Sequence, residues 1–303
     1  MKNLIILAKS IAHSKSVIEV LNGIARLPAG ELNMTISADV PDGAYNPRLA
    51  AAGILHPCEA PEFKPLSTPG GITDNTIGID LKMLRALALS MSVKDVRYQL
   101  KGVHINAVDR YFEATDGHRV ARVPLPADCV VKESFIIPGD AVRAILRSKL
   151  TTLQYGAMHG VAKRDGSSLA LWFKGVDGRY PDIASRWSTV IGGGKFGIDA
   201  DAVKQMEVYR KAAKLKFMPV YFNKEAQVLK ARKYTLDERT FEIIHQVPAR
   251  VTCDAAFSAG YLTDVLAQGC DEFALVASGA WFGALLATNS RLGLETVVMP
   301  VSR

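Results

Sequence analysis

An acid and a histidine stand two residues apart at Asp116 and His118, inside the stretch ATDGHRVARVPLP. A carboxylate can orient a nearby imidazole as a general base, so the pair could serve hydrolytic catalysis. Catalysis also needs a nucleophile or a second catalytic element, and the sequence shows no such element together with this pair. TDGH is also typical of a turn between two strands. Because the pair lacks a catalytic partner, the turn is the favoured interpretation.

Two further motifs only partly match known binding sites. HPCE, residues 56–59, has a histidine and a cysteine, but no paired cysteines follow at the spacing of a zinc site. IGGGKFG, residues 191–197, lacks the first glycine of a phosphate-binding loop, and Phe196 stands where a serine or threonine would hold magnesium. We interpret the first as a loop and the second as an interdomain linker. The sequence therefore predicts neither a metal site nor a cofactor.

The elements that must carry these motifs follow one repeated pattern of strand, helix and alternating strands. Copies begin at NTIGIDLKMLRALALSMS, SFIIPGDAVRAILRSKL, KFGIDADAVKQMEVYRKAAKLK and RVTCDAAFSAGYLTDVLAQG. Acidic residues stand where helix caps are expected, at Asp80, Asp140, Asp199 or Asp201, and Asp254. Alternating runs such as YFEAT, PVYFN and FEIIHQV predict the strands that follow. The fold class is therefore α+β.

Two such units form one domain, with helices on one side and sheet on the other. This pattern predicts one domain at residues 76–190 and another at 191–303. Residues 1–75 form a shorter module and linker, in which SKSVIEVLNGIARLPAGELNMTISADV predicts one helix and one strand, and HPCEAPEFKPLSTPGG a connector. MKNLIILAKSIAHSK has no signal cleavage site, so we expect a strand and a helix of a cytoplasmic protein.

Composition excludes several classes of protein. The 303 residues are 49% hydrophobic and 22% charged, which is typical of a globular chain, and no apolar run is long enough to span a membrane. The four cysteines form no CxxC pair, so neither a disulfide framework nor a zinc ribbon is indicated. The net charge of +7 permits a polyanionic partner.

Basic residues recur on one face of three predicted helices: Lys82 and Arg85, then Arg143 and Arg147, then Lys204, Lys211 and Lys214. A charged face on a single helix is normally explained by exposure to solvent. Because three helices in equivalent positions share such a basic face, we favour contact with DNA phosphates that does not depend on the identity of the bases. We therefore expect these residues to face double-stranded DNA in a sequence-independent manner.

Five ordered segments closely resemble the bacterial sliding clamp, the DNA polymerase III beta subunit. They are SMSVKDVRYQLKGVHI, ATDGHRVARVPLP, SFIIPGDAVRAIL, VDGRYPDI and ETVVMPVSR. The resemblance covers about residues 76–303, which correspond to the second and third domains of the family. The resemblance implies a DNA clamp fold, with helices lining a ring of head-to-tail subunits and sheets outside. It implies a non-catalytic processivity factor that binds polymerase, and a clamp loader, through short linear motifs.

The resemblance also implies a groove for those motifs, so that the TDGHR turn lies at its rim. One wall is expected to contain Arg97, Leu100, Thr115, Gly117, His118, Arg119 and Val120, and the other Tyr261, Val298, Met299, Pro300 and Val301. An adaptable methionine and branched apolar residues suit leucine or phenylalanine anchors of a peptide.

Two departures from the family leave alternatives open. The N-terminal module is short, and the net charge is basic. A ring could close as a dimer or as a trimer; we favour the dimer, because in the family the retained half-module supplies the strand that meets the neighbouring subunit. The rival functions are a clamp paralogue that acts as a non-ring adaptor or decoy, and an enzyme that uses Asp116 and His118.

Overall fold

The chain divides into two compact units. The structure, a computed structural model, describes residues 1–10, 17–29, 32–58, 75–188, 191–235, 240–278 and 283–301. Unit 1 comprises Met1–Ala88, Lys94–Phe112 and Leu125–Tyr180, and unit 2 comprises Leu89–Val93, Glu113–Pro124 and Pro181–Arg303. The three-module division stays a prediction, because a compact unit can contain strands from neighbouring repeats.

Unit 1 contains four α-helices, one 3-10 helix and most of the first twelve strands. The helices are α1 (Lys2–Ser10), α2 (Pro47–Ala51), α3 (Leu81–Ala88) and α4 (Gly139–Ser148), with the 3-10 helix at Tyr98–Lys101. The strands are β1 (Ile18–Leu21), β2 (Ile24–Ala29), β3 (Leu32–Ser37), β4 (Gly43–Tyr45), β5 (Asn75–Gly78), β6 (Gly102–Asn106), β9 (Phe135–Pro138), β10 (Thr152–Tyr155), β11 (His159–Lys163) and β12 (Ala170–Lys174).

Eight of these strands form one antiparallel sheet in the order β4-β1-β2-β3-β12-β11-β10-β5. The N-terminal strand β3 pairs with β12, and the Trp172 indole N–H donates to the Thr35 hydroxyl at 3.3 Å across that pair. The strand expected to meet a neighbouring subunit is therefore not β3, which is already paired within its own unit.

The single helix and strand predicted for residues 14–40 are wrong, because the described part of this stretch forms β1, β2 and β3. Asn22 and Gly23 form a two-residue turn with φ values of +51° and +74°, as Asn-Gly hairpins require. Apolar side chains then alternate inward along β2 and β3. The preceding KNLIILAKS, Lys2–Ser10, is helix α1, where a strand was expected to come first.

Unit 2 contains the remaining elements. Its helices are α5 (Ala184–Trp187), α6 (Ala200–Ala212) and α7 (Ala259–Ala267). Its strands are the end of β7 (Tyr111–Thr115), then β8 (Arg119–Pro124), β13 (Ile191–Lys195), β14 (Pro219–Asn223), β15 (Val228–Thr235), β16 (Thr240–Pro248), β17 (Ala255–Ser258), β18 (Glu272–Ser278), β19 (Leu285–Asn289) and β20 (Leu294–Val298). They form the array β13-β18-β19-β20-β8 and a separate sheet β16-β15-β14-β17.

The glycine run at residues 192–194 belongs to a strand, so its interpretation as a linker is wrong. β13 pairs with β18 through two register shifts. A Cβ atom at Gly193 would lie 2.7 Å from the Leu275 carbonyl oxygen, whereas one at Gly194 would meet nothing within 4 Å. Glycine is required at Gly193 because the two backbones approach closely.

The four repeated helices predicted from residue 75 onward form as α3, α4, α6 and α7, but AAFS after Asp254 is strand β17 rather than the start of a helix, and only some predicted caps form. Asp80 caps α3 by accepting from the Lys82 N–H at 2.7 Å, and Asp199 caps α6 by accepting from the Ala202 N–H at 3.0 Å. Asp140 instead lies inside the first turn of α4, and Asp254 accepts from the Lys224 N–H before β17. The caps therefore differ among copies of one pattern.

Candidate peptide-binding site

The TDGHR segment is a hydrogen-bonded turn between β7 and β8. One Asp116 carboxylate oxygen accepts from the backbone N–H groups of His118 at 2.9 Å and Arg119 at 3.1 Å. The Thr115 hydroxyl accepts from the Gly117 N–H at 3.1 Å and donates to the Arg119 carbonyl at 2.6 Å. Gly117 has a φ of +91°, which favours glycine. Asp116 therefore holds a turn, and His118 is exposed at its tip.

Arg119 is the buried centre of the site. Its side chain is 7% exposed and donates to Asp116 at 3.1 Å, to Asp264 at 2.6 Å and to the Leu89 carbonyl. Its guanidinium also lies 4.5 Å from the centre of the Tyr261 ring. Ion pairs, a carbonyl acceptor and an aromatic face thus satisfy the buried charge, as burial demands.

Two ionisable groups around Arg119 have shifted pKa values. Burial raises the pKa of Asp264, and the positive charge of Arg119 opposes that rise. Burial, together with the negative charge of Asp116, raises the pKa of Tyr261 to about 12. The Tyr261 phenol is therefore neutral at neutral pH and keeps its O–H donor.

The C-terminal segment lies beside this turn. Strand β20 pairs with β8 so that Val297 is opposite Val120 and Val298 is opposite Arg119. The Met299 N–H then donates to the His118 carbonyl at 2.9 Å. The Met299 side chain is half-buried and Pro300 is exposed. A methionine, a proline and a histidine therefore line one short stretch of surface.

Unit 2 brings together ten of the twelve residues predicted for the groove. Within it, the His118 and Tyr261 rings lie 6.4 Å apart, and Val301 donates its N–H to the Ala256 carbonyl at 2.8 Å. Val120 and Val298 are almost fully buried, so they support the surface from beneath. The half-buried Tyr261 and Met299 and the exposed His118 and Pro300 are available for contact.

The other two predicted groove residues, Arg97 and Leu100, belong to unit 1. Arg97 is exposed and forms a two-point ion pair with Asp95, at 2.9 and 2.7 Å. Hydrogen bonds from Arg97 hold the pKa of Asp95 well below its usual range. Leu100 is 1% exposed and packs in the core of unit 1. Its side chain is therefore structural, whereas Arg97 stays available at the surface.

Sequence reasoning did not predict two residues of this region. Asp264 follows Tyr261 by three positions on α7, so both side chains lie on one helical face towards Arg119. Trp187 packs its ring 3.9 Å from the guanidinium of Arg122, which also donates to Glu295 at 2.7 Å. The available signal for Asp264 was its spacing from Tyr261; no comparable signal pointed to Trp187.

The helices of unit 1 are strongly basic. Helices α1 to α4 contain seven lysine and arginine residues and a single acid, Asp140. The four predicted DNA-facing residues on these helices, Lys82, Arg85, Arg143 and Arg147, are all exposed. Arg143 pairs with Asp140 at 2.6 Å. This surface can attract phosphate groups.

Helix α6 of unit 2 differs from that pattern. Lys204 pairs with Asp201 at 3.1 Å, and Lys211 pairs with Glu207 at 3.4 Å. The helix ends at Ala212, so Lys214 follows it in a left-handed conformation with a φ of +54°. Placing Lys214 on the same helical face as Lys204 was wrong, because the helix is one turn shorter than the sequence pattern suggested.

The described residues contain no cluster of three or more histidine, cysteine, aspartate or glutamate side chains that could hold a metal ion. Within HPCE, Pro57 forms a bridge with Tyr45, while Glu59 lies outside the described residues. No helix in the described part of the chain is long and apolar enough to cross a membrane.

Comparison with known proteins identifies the fold. Neither a protein-family sequence model nor a curated protein sequence matches the chain. The DnaN sliding clamp (DNA polymerase III subunit beta) from Bartonella birtlesii, bound to griselimycin, matches with a TM-score of 0.70 and 20% identity, over 96% of this chain and 92% of that one. The chain has the fold of a DNA sliding clamp.

Other clamps give the same result. The Helicobacter pylori beta clamp bound to a DNA ligase peptide has a TM-score of 0.70 and 15% identity, over 100% of this chain and 97% of that one. The griselimycin-bound DnaN clamp from Pseudomonas aeruginosa has a TM-score of 0.66 and 20% identity, over 100% and 96%. The expected α+β clamp fold is thus confirmed.

Proposed function

We propose that this protein is a non-catalytic DNA clamp, a processivity factor that encircles duplex DNA as a homo-oligomer and docks client proteins. The observation that carries the proposal is the clamp fold combined with the surface built around Arg119, where His118, Tyr261 and Met299 meet. Two of the clamps with this fold were solved with griselimycin and one with a DNA ligase peptide.

The chemistry of the surface suits a short peptide. The Met299 side chain is adaptable and only half-buried, so it can pack against an apolar anchor such as leucine or phenylalanine. Exposed His118 can contribute ring nitrogens, and the half-buried ring of Tyr261 offers a flat apolar contact. Arg119 acts from beneath as a positioning residue, since its side chain is almost wholly buried.

The chemistry of the unit 1 helices suits a polyanion. Exposed cations with almost no acid among them neutralise phosphate without reading bases, as sliding along DNA requires. A polymerase and a clamp loader are the expected client proteins, and the cytoplasm is the expected compartment. The same proposal assigns the clamp no cofactor of its own.

Retention on DNA tests the encircling function. The oligomer, loaded on a nicked circle, should stay bound through a high-salt wash and should be lost once the circle is cut to a linear form. Equal retention on both forms would favour the adaptor or decoy. Turnover that disappears in His118→Ala would instead favour an enzyme.

Peptide binding tests the docking surface separately. A fluorescent peptide with leucine and phenylalanine anchors should bind the chain, and Met299→Ala should weaken it about tenfold. Met158→Ala is the matched control, because Met158 is a half-exposed methionine of unit 1. Equal affinity of both variants and the wild type would remove Met299 from the site.

A further inference from the structure

Unit 1 contains a cavity that the functions proposed above do not use. Its volume is about 450 Å³, which lies in the range typical of small-molecule sites. It lies where the turn between β10 and β11, the start of β9 and the segment after β12 meet, and its described lining belongs entirely to unit 1. None of these lining residues was predicted for the peptide groove or for DNA contact. The cavity is therefore a candidate site for a different ligand.

Aromatic rings form part of the cavity wall. The half-buried His104 ring stacks on Tyr180, with 4.4 Å between the ring centres and 20° between the ring planes. Phe135, which is 4% exposed, stacks on Tyr155 with ring centres 4.8 Å apart. A Cβ atom at Gly175 would collide with the Phe135 ring, so backbone alone can pass at this point. Rings held in this way offer a preformed surface for a flat ligand.

Two cations also line the cavity. Lys174 ends β12 and Arg179 follows on the next segment, and both residues are exposed. Neither forms an ion pair with a described acid. The Ser134 hydroxyl accepts from the Ala107 N–H at 3.1 Å and keeps its own proton available to a ligand. Asp177 contributes one negative charge, so the described lining carries a single excess positive charge when His104 is neutral.

We propose that this cavity binds a nucleoside monophosphate. Lys174 and Arg179 hold the phosphate through charge-assisted hydrogen bonds, and the Ser134 hydroxyl adds a further donor. The base packs against the ring surface that His104 and Phe135 provide. Both parts of the ligand therefore contribute to its affinity.

The charges of the cavity favour a single phosphate group. Two cations can neutralise one phosphate, whereas the Asp177 carboxylate would repel a longer phosphate chain. The same carboxylate can accept a hydrogen bond from a ribose hydroxyl or from the amino group of a base. This inference goes beyond the clamp function, because peptide docking and contact with DNA use other residues of the chain.

Isothermal titration calorimetry with AMP, adenosine and inorganic phosphate tests the site. AMP should bind the wild-type chain, and adenosine and phosphate should each bind at least about tenfold more weakly. Lys174→Gln with Arg179→Gln should weaken AMP binding by more than about tenfold, because both phosphate ligands are lost. Lys163→Gln with Arg164→Gln is the matched control and should leave the affinity unchanged, since these two basic residues of unit 1 lie outside the cavity.

A second variant fills the cavity without changing its charge. Ala157 is an exposed lining residue, so Ala157→Phe should abolish AMP binding while the circular dichroism spectrum stays that of the wild type. The proposal is overturned if AMP does not bind at millimolar concentration, or if phosphate binds as tightly as AMP. Equal losses in the cavity and control variants would also overturn it. So would AMP binding that Lys82→Glu with Arg147→Glu removes and the cavity variants leave intact, because the nucleotide would then lie on the basic helices.

Discussion

Arg119 and Asp264 form an ion pair of 2.6 Å whose arginine side chain is 7% exposed, so a buried cation connects the turn after β7 to helix α7. Removing the carboxylate charge would leave the guanidinium with Asp116 alone as an anionic partner. Asp264→Asn should therefore lower the free energy of unfolding by about 2 kcal/mol, measured by urea denaturation. Asp140→Asn, at an exposed pair, should cost well under about 1 kcal/mol. Equal losses would contradict the central role of Arg119.

Two substitutions of Tyr261 can separate the contributions of its ring and of its hydroxyl to the stability of the same site. Tyr261→Phe keeps the ring beneath the Arg119 guanidinium and loses only the hydrogen bond to Asp116, while Tyr261→Leu should lose a further contribution of about 1 kcal/mol from the cation–π contact. Thermal unfolding of both variants measures this difference. A spectroscopic titration should also find one tyrosine that ionises near pH 12, which disappears in Tyr261→Phe. Identical stability of the two variants would argue against the ring contact.

Glu207 makes stability depend on pH. Its hydrogen bonds from Arg210, at 2.6 Å, lower its pKa from the ordinary value of 4.5. Because the folded pKa lies below the unfolded one, this pair stabilises the chain above pH 4.5, and that contribution is lost as pH falls through the lowered pKa. Urea denaturation across this acidic range should show a smaller loss for Glu207→Gln than for the wild type. Parallel curves would contradict the assignment.

DNA binding should depend more on α3 and α4 than on α6. Lys82→Glu with Arg147→Glu should weaken binding to duplex DNA and should reduce the slope of log K against log salt by about 2. Lys204→Glu should have a smaller effect, because Lys204 already pairs with Asp201. Fluorescence anisotropy over a salt series measures both, with circular dichroism as the control for folding. An effect of Lys204→Glu equal to that of the double variant would contradict this ranking.

Neighbouring glycines of β13 should respond differently to a methyl group. Gly193→Ala should destabilise the chain by about 1–3 kcal/mol, because the new Cβ would lie 2.7 Å from the Leu275 carbonyl oxygen. Gly194→Ala should change stability little, since its Cβ would meet nothing within 4 Å. Denaturant unfolding measures the stability of both variants, and Gly194→Ala is the control for Gly193→Ala. If both substitutions cost the same, close approach of the backbones is not the cause.

Sequence patterns predicted the elements that depend on neighbours along the chain, whereas the clamp fold was predicted from the resemblance of five ordered segments to a known family. The hairpin at Asn22 and Gly23 was missed because its branched residues also fit a helical period over a short window. The end of α6 before Lys214 was missed because basic residues continue beyond it.

The candidate site was predicted only in part, through its resemblance to a family. The Arg119 pair joins residues 145 positions apart, and no local pattern encodes such a contact. Burial of Leu100 and Val298 likewise depends on packing between distant strands and helices. Local sequence therefore indicates which residues belong to the motifs of the candidate site. Tertiary packing determines which of these residues are buried and support the binding surface from beneath.

The seven cations and single acid on α1 to α4 also give salt two opposing effects on this protein. Without DNA, these side chains repel one another, so added electrolyte should raise the melting temperature of the free chain by screening that repulsion. In the DNA complex proposed above, the same electrolyte would compete with the protein for phosphate and would shorten the lifetime of the complex. Buffers that best preserve the purified protein should therefore be those in which it holds DNA least well.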